Sequence, residues 1–184
     1  MRLQKHLPLA IPLLFTSVAF AQKDSTRSSV ADKGWYVKVL SVQAVMPVGE
    51  FAGSHTVGAG VDFSMEHHHE NRFIYFIAGA GANHYLGKKV EVSNYPYKYP
   101  GYTFVHLSGG AYAQPGDFIV RAMVGPALGF YNGNTRFNIA GRFELNYKLN
   151  DELLLGSVLN LMKEPRANSL WSAGLKVSMR FGAK

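Results

Sequence analysis

The chain has 184 residues, 47% of them hydrophobic, no cysteine, and 19 Lys and Arg against 12 Asp and Glu, giving a formal charge of +7. The lack of cysteine excludes a disulfide framework and a lipid-anchored lipoprotein, so stability must come from packing and hydrogen bonds. Beyond residue 21 no run reaches the roughly 20 apolar residues that a membrane helix needs.

Residues 1–21 read as an export signal. Arg2, Lys5 and His6 form a positive start, Leu7 to Phe20 an apolar stretch, and Ala19, Phe20 and Ala21 the small-residue cleavage site. The signal holds two of the 19 basic residues and no acid, so the mature charge falls from +7 to +5. Nucleic acid is not an expected partner of an exported chain. Residues 22–33 are polar and aperiodic, which predicts a flexible periplasmic leader.

Eight strands are predicted, over 34–47, 56–66, 72–86, 101–114, 117–131, 135–149, 153–163 and 169–181. In the first, the polar residues change parity between Lys38 and Ser41, which predicts a bulge near Val39. The second ends at the run His67, His68, His69 and Glu70. These are metal-ligating residue types, but neighbours on a strand or turn point different ways, so a solvated periplasmic turn is the reading preferred. In the third, both faces are apolar or small, with Ile74, Phe76, Ala78, Ala80 and Ala82 as the candidate lipid face. Residues 87–100 then form a long loop in which Tyr95, Tyr97, Lys98 and Tyr99 offer a candidate contact surface. Stiff aromatic side chains give contact area at small entropic cost.

Turn chemistry sets the register of the next strands. Pro115 and Gly116, as the central pair of a two-residue turn, would pair residues whose numbers sum to 231. This points His106, Ser108 and Tyr112 inward. Asn132 and Gly133 give a sum of 265, which sets Arg121 opposite Glu144, Leu128 beside Phe137, Val120 beside Leu145 and Phe118 beside Tyr147. Pro126 has no amide hydrogen and predicts a bulge or a ladder break.

The strand at 135–149 is the most two-faced. Phe137, Ile139, Phe143, Leu145, Tyr147 and Leu149 share one parity, and Asn138, Arg142, Glu144, Asn146 and Lys148 share the other. Exposing Arg142 and Lys148 to lipid would cost about 2–4 kcal/mol for a basic residue near the midplane, so the charged parity should face a lumen. The links alternate in length, with short ones near 67–71, 114–117 and 150–152. Those near 48–55, 87–100, 132–134 and 164–168 should face outward.

The closing segment sets Trp171, Leu175, Val177, Met179 and Phe181 against Ser172, Lys176, Ser178 and Arg180. With eight strands and a cleaved leader, residues 34–181 resemble the small OmpA/OmpX-type, porin-family-like outer-membrane β-barrels of the Gram-negative envelope. The resemblance implies an all-β, eight-stranded antiparallel up-and-down transmembrane β-barrel as the domain over 34–184. It further implies a non-enzymatic structural or surface-interaction role without cofactors. Its surroundings would be outer-membrane lipid and lipopolysaccharide, and its assembly would use the barrel-assembly machinery. The tyrosines of the 87–100 loop read either as a contact face for lipopolysaccharide or an external glycan or protein, or as an aromatic girdle at the membrane interface.

In such a barrel Asp62, Glu66, Arg121, Arg142, Glu144, Lys148, Lys176 and Arg180 form an inward ionic set. Eight strands enclose a space just wide enough for their own side chains, so this set is expected to plug the lumen. Two alternatives stand beside this reading. His106 and Ser108 resemble the His-x-Ser arrangement of a lipid A deacylase family, although the register turns both inward. A soluble lipocalin-like carrier would bury the apolar parity instead.

Overall fold

The computed structural model describes residues 35–69, 72–164 and 169–182. The export signal and the leader lie outside the described residues. Eight long strands close into one barrel: β1 (Trp35–Val48), β2 (His55–His68), β3 (Ile74–Gly87), β6 (Tyr102–Ala113), β7 (Phe118–Tyr131), β8 (Asn134–Lys148), β9 (Leu153–Lys163) and β10 (Ser169–Phe181). Each pairs antiparallel with its neighbours in the chain, and β10 closes on β1. Between β3 and β6 stand β4 (Lys89–Val92) and β5 (Tyr95–Lys98), and one helical turn, α1 (Phe51–Ser54), joins β1 to β2.

The barrel is inside-out relative to a water-soluble protein. Leu175 is 68% exposed and Leu107 63%, whereas Glu144, Glu66 and Asn146 are fully buried. The outer parity of β8 carries Phe137, Ile139, Phe143, Leu145 and Tyr147, and its inner parity carries Asn138, Arg142, Glu144 and Asn146. A lipid-facing wall with a polar interior has this alternation. A lipocalin-like carrier, which needs the opposite one, is thereby set aside.

The register of β7 on β8 is the one that Asn132 and Gly133 predict, with Arg121 opposite Glu144 and Leu128 opposite Phe137. Both turn residues have positive φ, 50° and 76°, as a type I′ hairpin requires. Between β6 and β7 the expectation is corrected by two residues. Ala113 pairs with Val120 and Tyr112 with Arg121, a sum of 233. Gly116 is the only residue of that turn with positive φ, at 64°, so it takes the first central position and Pro115 the corner before it. The Phe118 amide donates to the Pro115 carbonyl at 3.3 Å, closing this turn. A two-residue shift preserves parity, so His106 and Tyr112 still face inward.

Two other local expectations change. No bulge occurs near Val39. Strand β1 alternates without interruption, and Lys38 points outward near the periplasmic rim, where a long stem carries its ammonium towards head groups. The long loop at 87–100 contains the β4–β5 hairpin, turned by Ser93 and Asn94 at positive φ of 52° and 67°. At Pro126 the β6–β7 ladder skips Leu107 and Ser108 and resumes in the same register, so the missing amide produces a break without a bulge. In β3, Phe76, Ala78 and Ala80 do face outward.

Candidate functional site

The lumen is filled by a continuous column of polar side chains. At its centre Glu144 accepts from Lys176 Nζ at 2.5 Å and from Arg121 Nη1 at 3.0 Å, with Arg142 Nε also at 3.0 Å. Arg121 reaches onward to Glu66, which takes a second hydrogen bond from Arg180 Nη2 at 3.1 Å. Arg142 grips both oxygens of Asp62, the Oδ2 contact being 2.7 Å, and donates to Gln43 Oε1 at 2.5 Å. His106 Nε2 stands 3.4 Å from Asp62 and 3.3 Å from Arg142, and Gln43 donates to Asn83. These residues come from β1, β2, β3, β6, β7, β8 and β10. Buried charges are tolerable only with such partners, and removal of one partner leaves the others uncompensated.

Glycine makes room for this column. A Cβ on Gly81 would stand 2.0 Å from Asp62 Oδ1, and one on Gly60 would stand 2.1 Å from Asn83 Oδ1. This explains why the inward face of β3 carries glycine at position 81.

Of the predicted inward set, Asp62, Glu66, Arg121, Arg142, Glu144, Lys176 and Arg180 are brought together and buried. Lys148 is a correction. As the last residue of β8 it lies at the periplasmic rim, and its ammonium meets Asp151 of the following turn at 2.5 Å. The histidine run is another. His67 and His68 belong to β2, and His68 is buried beside Arg180 at 3.2 Å and stacked on Trp35, with ring centroids 5.4 Å apart. Glu70 lies outside the described residues. His106 is occupied by Asp62 and Arg142, while the Ser108 hydroxyl lies against Met123 Sδ at 3.9 Å.

The two ends of the lumen are lined differently. At the periplasmic end Tyr75, Tyr112 and His68 pack together, with centroids 5.0–5.2 Å apart. At the outer end Phe51 of α1 inserts against His55, Tyr85 and Tyr102. His55 reaches this cluster because a register shift between His55 and Gly58 sends both Thr56 and Val57 outward. Below the cluster Tyr102 donates to Glu164 Oε1 at 3.1 Å, and Arg136 donates to Oε2 of the same carboxylate at 3.0 Å. Sequence reasoning missed Gln43, Asn83 and Glu164. A consistent parity count marks the first two as inward, whereas Glu164 follows the end of β9 and carries no such signal.

The hairpin β4–β5 presents the predicted contact surface. Tyr95 is 76% exposed and Tyr97 48%, Lys98 is exposed, and Tyr99 is half-buried with its ring against Tyr97 at 5.0 Å.

No protein-family model and no curated protein matches this sequence. Solved structures do. The outer membrane protein Ail of Yersinia pestis in a phospholipid nanodisc aligns with a TM-score of 0.56 at 9% identity, over 80% of this chain and 100% of that one. A crystal structure of Ail with the heparin analogue sucrose octasulfate aligns at 0.50 and 9% identity, over 82% and 99%. OprG of Pseudomonas aeruginosa aligns at 0.50 and 10% identity, over 82% and 97%. The fold is thus that of the small eight-stranded outer-membrane β-barrels, as the OmpA/OmpX-type resemblance implies. With Phe, Leu and Val on the outer wall and ion pairs within, the chain is an integral outer-membrane protein.

Proposed function

We propose that this barrel is a non-enzymatic scaffold that holds its outward loops at the cell surface, with a lumen plugged by its own side chains. The observation that carries this reading is the Glu66, Arg121 and Glu144 bridge. It crosses the interior from β2 to β8 at full burial and ties in Lys176 and Arg180 from β10. A barrel of eight strands leaves no aqueous bore beside such a chain of contacts. Catalysis on lipid is disfavoured by the same geometry. His106 faces away from the lipid and is committed to Asp62 and Arg142, and a general base needs a nucleophile within hydrogen-bond reach.

The loop surface around Tyr95, Tyr97, Lys98 and Tyr99 is the contact face in this reading. Its expected partners are lipopolysaccharide or an external glycan or protein, and the barrel-assembly machinery would read β10 during insertion. That Ail has been crystallised with a heparin analogue supports an external polyanion as one ligand class.

The test pairs solute flux in proteoliposomes with mass spectrometry of lipid A from expressing cells. Neither sugar flux nor a change in lipid A mass is expected. Flux would replace the plug with a channel. Loss of an acyl chain that Ala at position 106 abolishes, as His106→Ala, would make the protein an enzyme.

A further inference from the structure

The charges of the lumen do not balance. Among the described residues its buried column holds four basic groups, Arg121, Arg142, Lys176 and Arg180, against three carboxylates, Asp62, Glu66 and Glu144. Glu164, nearer the outer mouth, is matched by Arg136 at 3.0 Å. The two histidines that touch the column, His68 and His106, can only add positive charge. One positive charge is left over.

The contacts locate it. Arg142 grips both oxygens of Asp62 and sets its Nε 3.0 Å from Glu144, which also takes Lys176. Two cations thus stand against two carboxylates, and this upper group is neutral. Nearer the periplasm Arg121 and Arg180 both donate to Glu66, the Arg180 Nη2 contact being 3.1 Å. These two guanidinium groups share that one carboxylate, and Arg121 reaches otherwise only to the already matched Glu144, at 3.0 Å through Nη1. The excess charge belongs to this lower group.

The same group holds donors that nothing uses. Arg121 Nε, Arg180 Nε and the Tyr112 hydroxyl are buried and find no hydrogen-bond partner among the described residues. Tyr112 stands directly opposite Arg121 in the β6–β7 ladder. Its ring lies 5.2 Å from that of His68, which in turn sits 3.2 Å from Arg180 Nη2 and 3.6 Å from Glu66. Ile77, Ile119, Met123 and Leu154 cluster with Tyr112 as an apolar collar, and Arg121 is 1% exposed. An unmatched charge in such a setting is costly unless an anion accompanies it. A water would satisfy the donors and leave the charge; an anion answers both.

We propose that the lower lumen binds one monovalent anion, chloride, between Arg121, Arg180 and Tyr112. An eight-stranded barrel is filled by its own side chains, which admits a single-atom ion and excludes carboxylates and phosphates. This rests on the plugged lumen of the proposed function and gives that plug a ligand.

The test uses the full mature protein folded in detergent micelles, with sodium chloride and sodium gluconate exchanged at constant ionic strength so that screening stays fixed. Chloride should raise the urea midpoint, and the rise should saturate, as a ligand of the folded state requires. Bromide should act likewise and fluoride far less, because the ion must shed its water to enter an apolar collar. Arg180→Gln leaves Glu66 paired with Arg121 and removes the excess charge, so it should abolish the response. Tyr112→Phe keeps the ring, removes one donor and should weaken the apparent chloride affinity by roughly tenfold or more. As a readout independent of any variant, crystals grown in bromide should give an anomalous peak within hydrogen-bond distance of Arg121 Nε, Arg180 Nε and the Tyr112 hydroxyl. Absence of a chloride response overturns the proposal, as does a response that survives Arg180→Gln. Bromide confined to the protein surface, an adventitious ion only, overturns it too. Loss of the response in Lys176→Gln but not in Arg180→Gln would move the excess charge to the upper group and overturn this site. A protein with neither chloride response nor sugar flux keeps its plug without a ligand, whereas sugar flux removes the plug itself.

Discussion

Two hairpins of this molecule share one turn geometry and differ in everything beneath it. The β7–β8 ribbon turns at Asn132 and Gly133 and the β4–β5 ribbon at Ser93 and Asn94, all four residues having positive φ. The first continues for 14 paired positions and the second for four. On β7–β8 one face meets lipid through Phe118, Val124, Phe137 and Phe143, and the other is consumed by Arg121, Arg142 and Glu144. On β4–β5 the side chains of Val92, Tyr95 and Tyr97 stay exposed. A turn that permits a hairpin does not stabilise one; coverage of the two faces does. The uncovered ribbon is therefore where an external partner has energy to contribute.

The sharpest way to break this contrast is to remove the hub of the covered hairpin. Glu144→Ala strands Arg121, Arg142 and Lys176 without their shared carboxylate, and should lower unfolding stability in lipid by about 3–5 kcal/mol, read from urea titration. Replacing residues 90–97 with a short polar linker should leave that midpoint unchanged. If Glu144→Ala were tolerated, the column would be a passive filling rather than a structural bond between β2, β7, β8 and β10.

Next in size is crowding of the space that glycine leaves. Gly81→Leu drives a side chain into Asp62 and His106, and overpacking of this kind costs about 1–3 kcal/mol. The same substitution at the outward Ala80 should cost far less, because lipid yields. Equal costs at the two positions would mean that the lumen is as compliant as the membrane.

How far the sequence discloses this architecture depends on what each residue's signal competes with. Strand β8 is legible because Arg142 and Glu144 on one parity and Phe143 and Leu145 on the other admit one orientation in lipid. From it the Asn132–Gly133 turn carries the pairing to Arg121. The turn at 115–118 misleads because Pro and Gly together suit two adjacent frames, and only the positive φ of Gly116 selects between them. Lys38 misleads because a basic residue near the rim can face outward when its stem reaches the head groups, so its parity carries little information. The β4–β5 turn is hidden for another reason. Ser93 and Asn94 adopt the left-handed region without glycine, so the tetrapeptide lacks the usual hairpin mark. In the lumen, Gln43 and Asn83 are single polar residues whose role exists only once β1 and β3 are brought to either side of Arg142.

That hidden turn supplies a smaller test. Asn94→Gly puts at the second central position of this turn the residue that its left-handed φ favours, and should stabilise the hairpin slightly through the turn alone. The expected readout is slower amide exchange at Val92 and Tyr95, with the barrel midpoint unmoved. Slower exchange throughout β3 and β6 would instead mean that the hairpin and the wall unfold as one unit.

The smallest effect lies at the periplasmic rim, where covered and uncovered regions meet. The hydrogen bond from Lys148, together with its charge, holds the Asp151 carboxyl below the ordinary aspartate range. A lowered folded value means that this contact contributes its stability above the unfolded value of about 3.9 and loses it as pH falls through the lowered one. Because Asp151 is exposed, the contribution should be slight and salt-sensitive, unlike that of Glu144. An NMR titration of the Asp151 carboxyl should therefore show a midpoint below that of a free aspartate. The Lys148→Ala variant should return it to the ordinary range without moving the urea midpoint at neutral pH. A large fall in stability on Lys148→Ala would place this residue in the lumen column after all and erase the boundary between buried and rim charges.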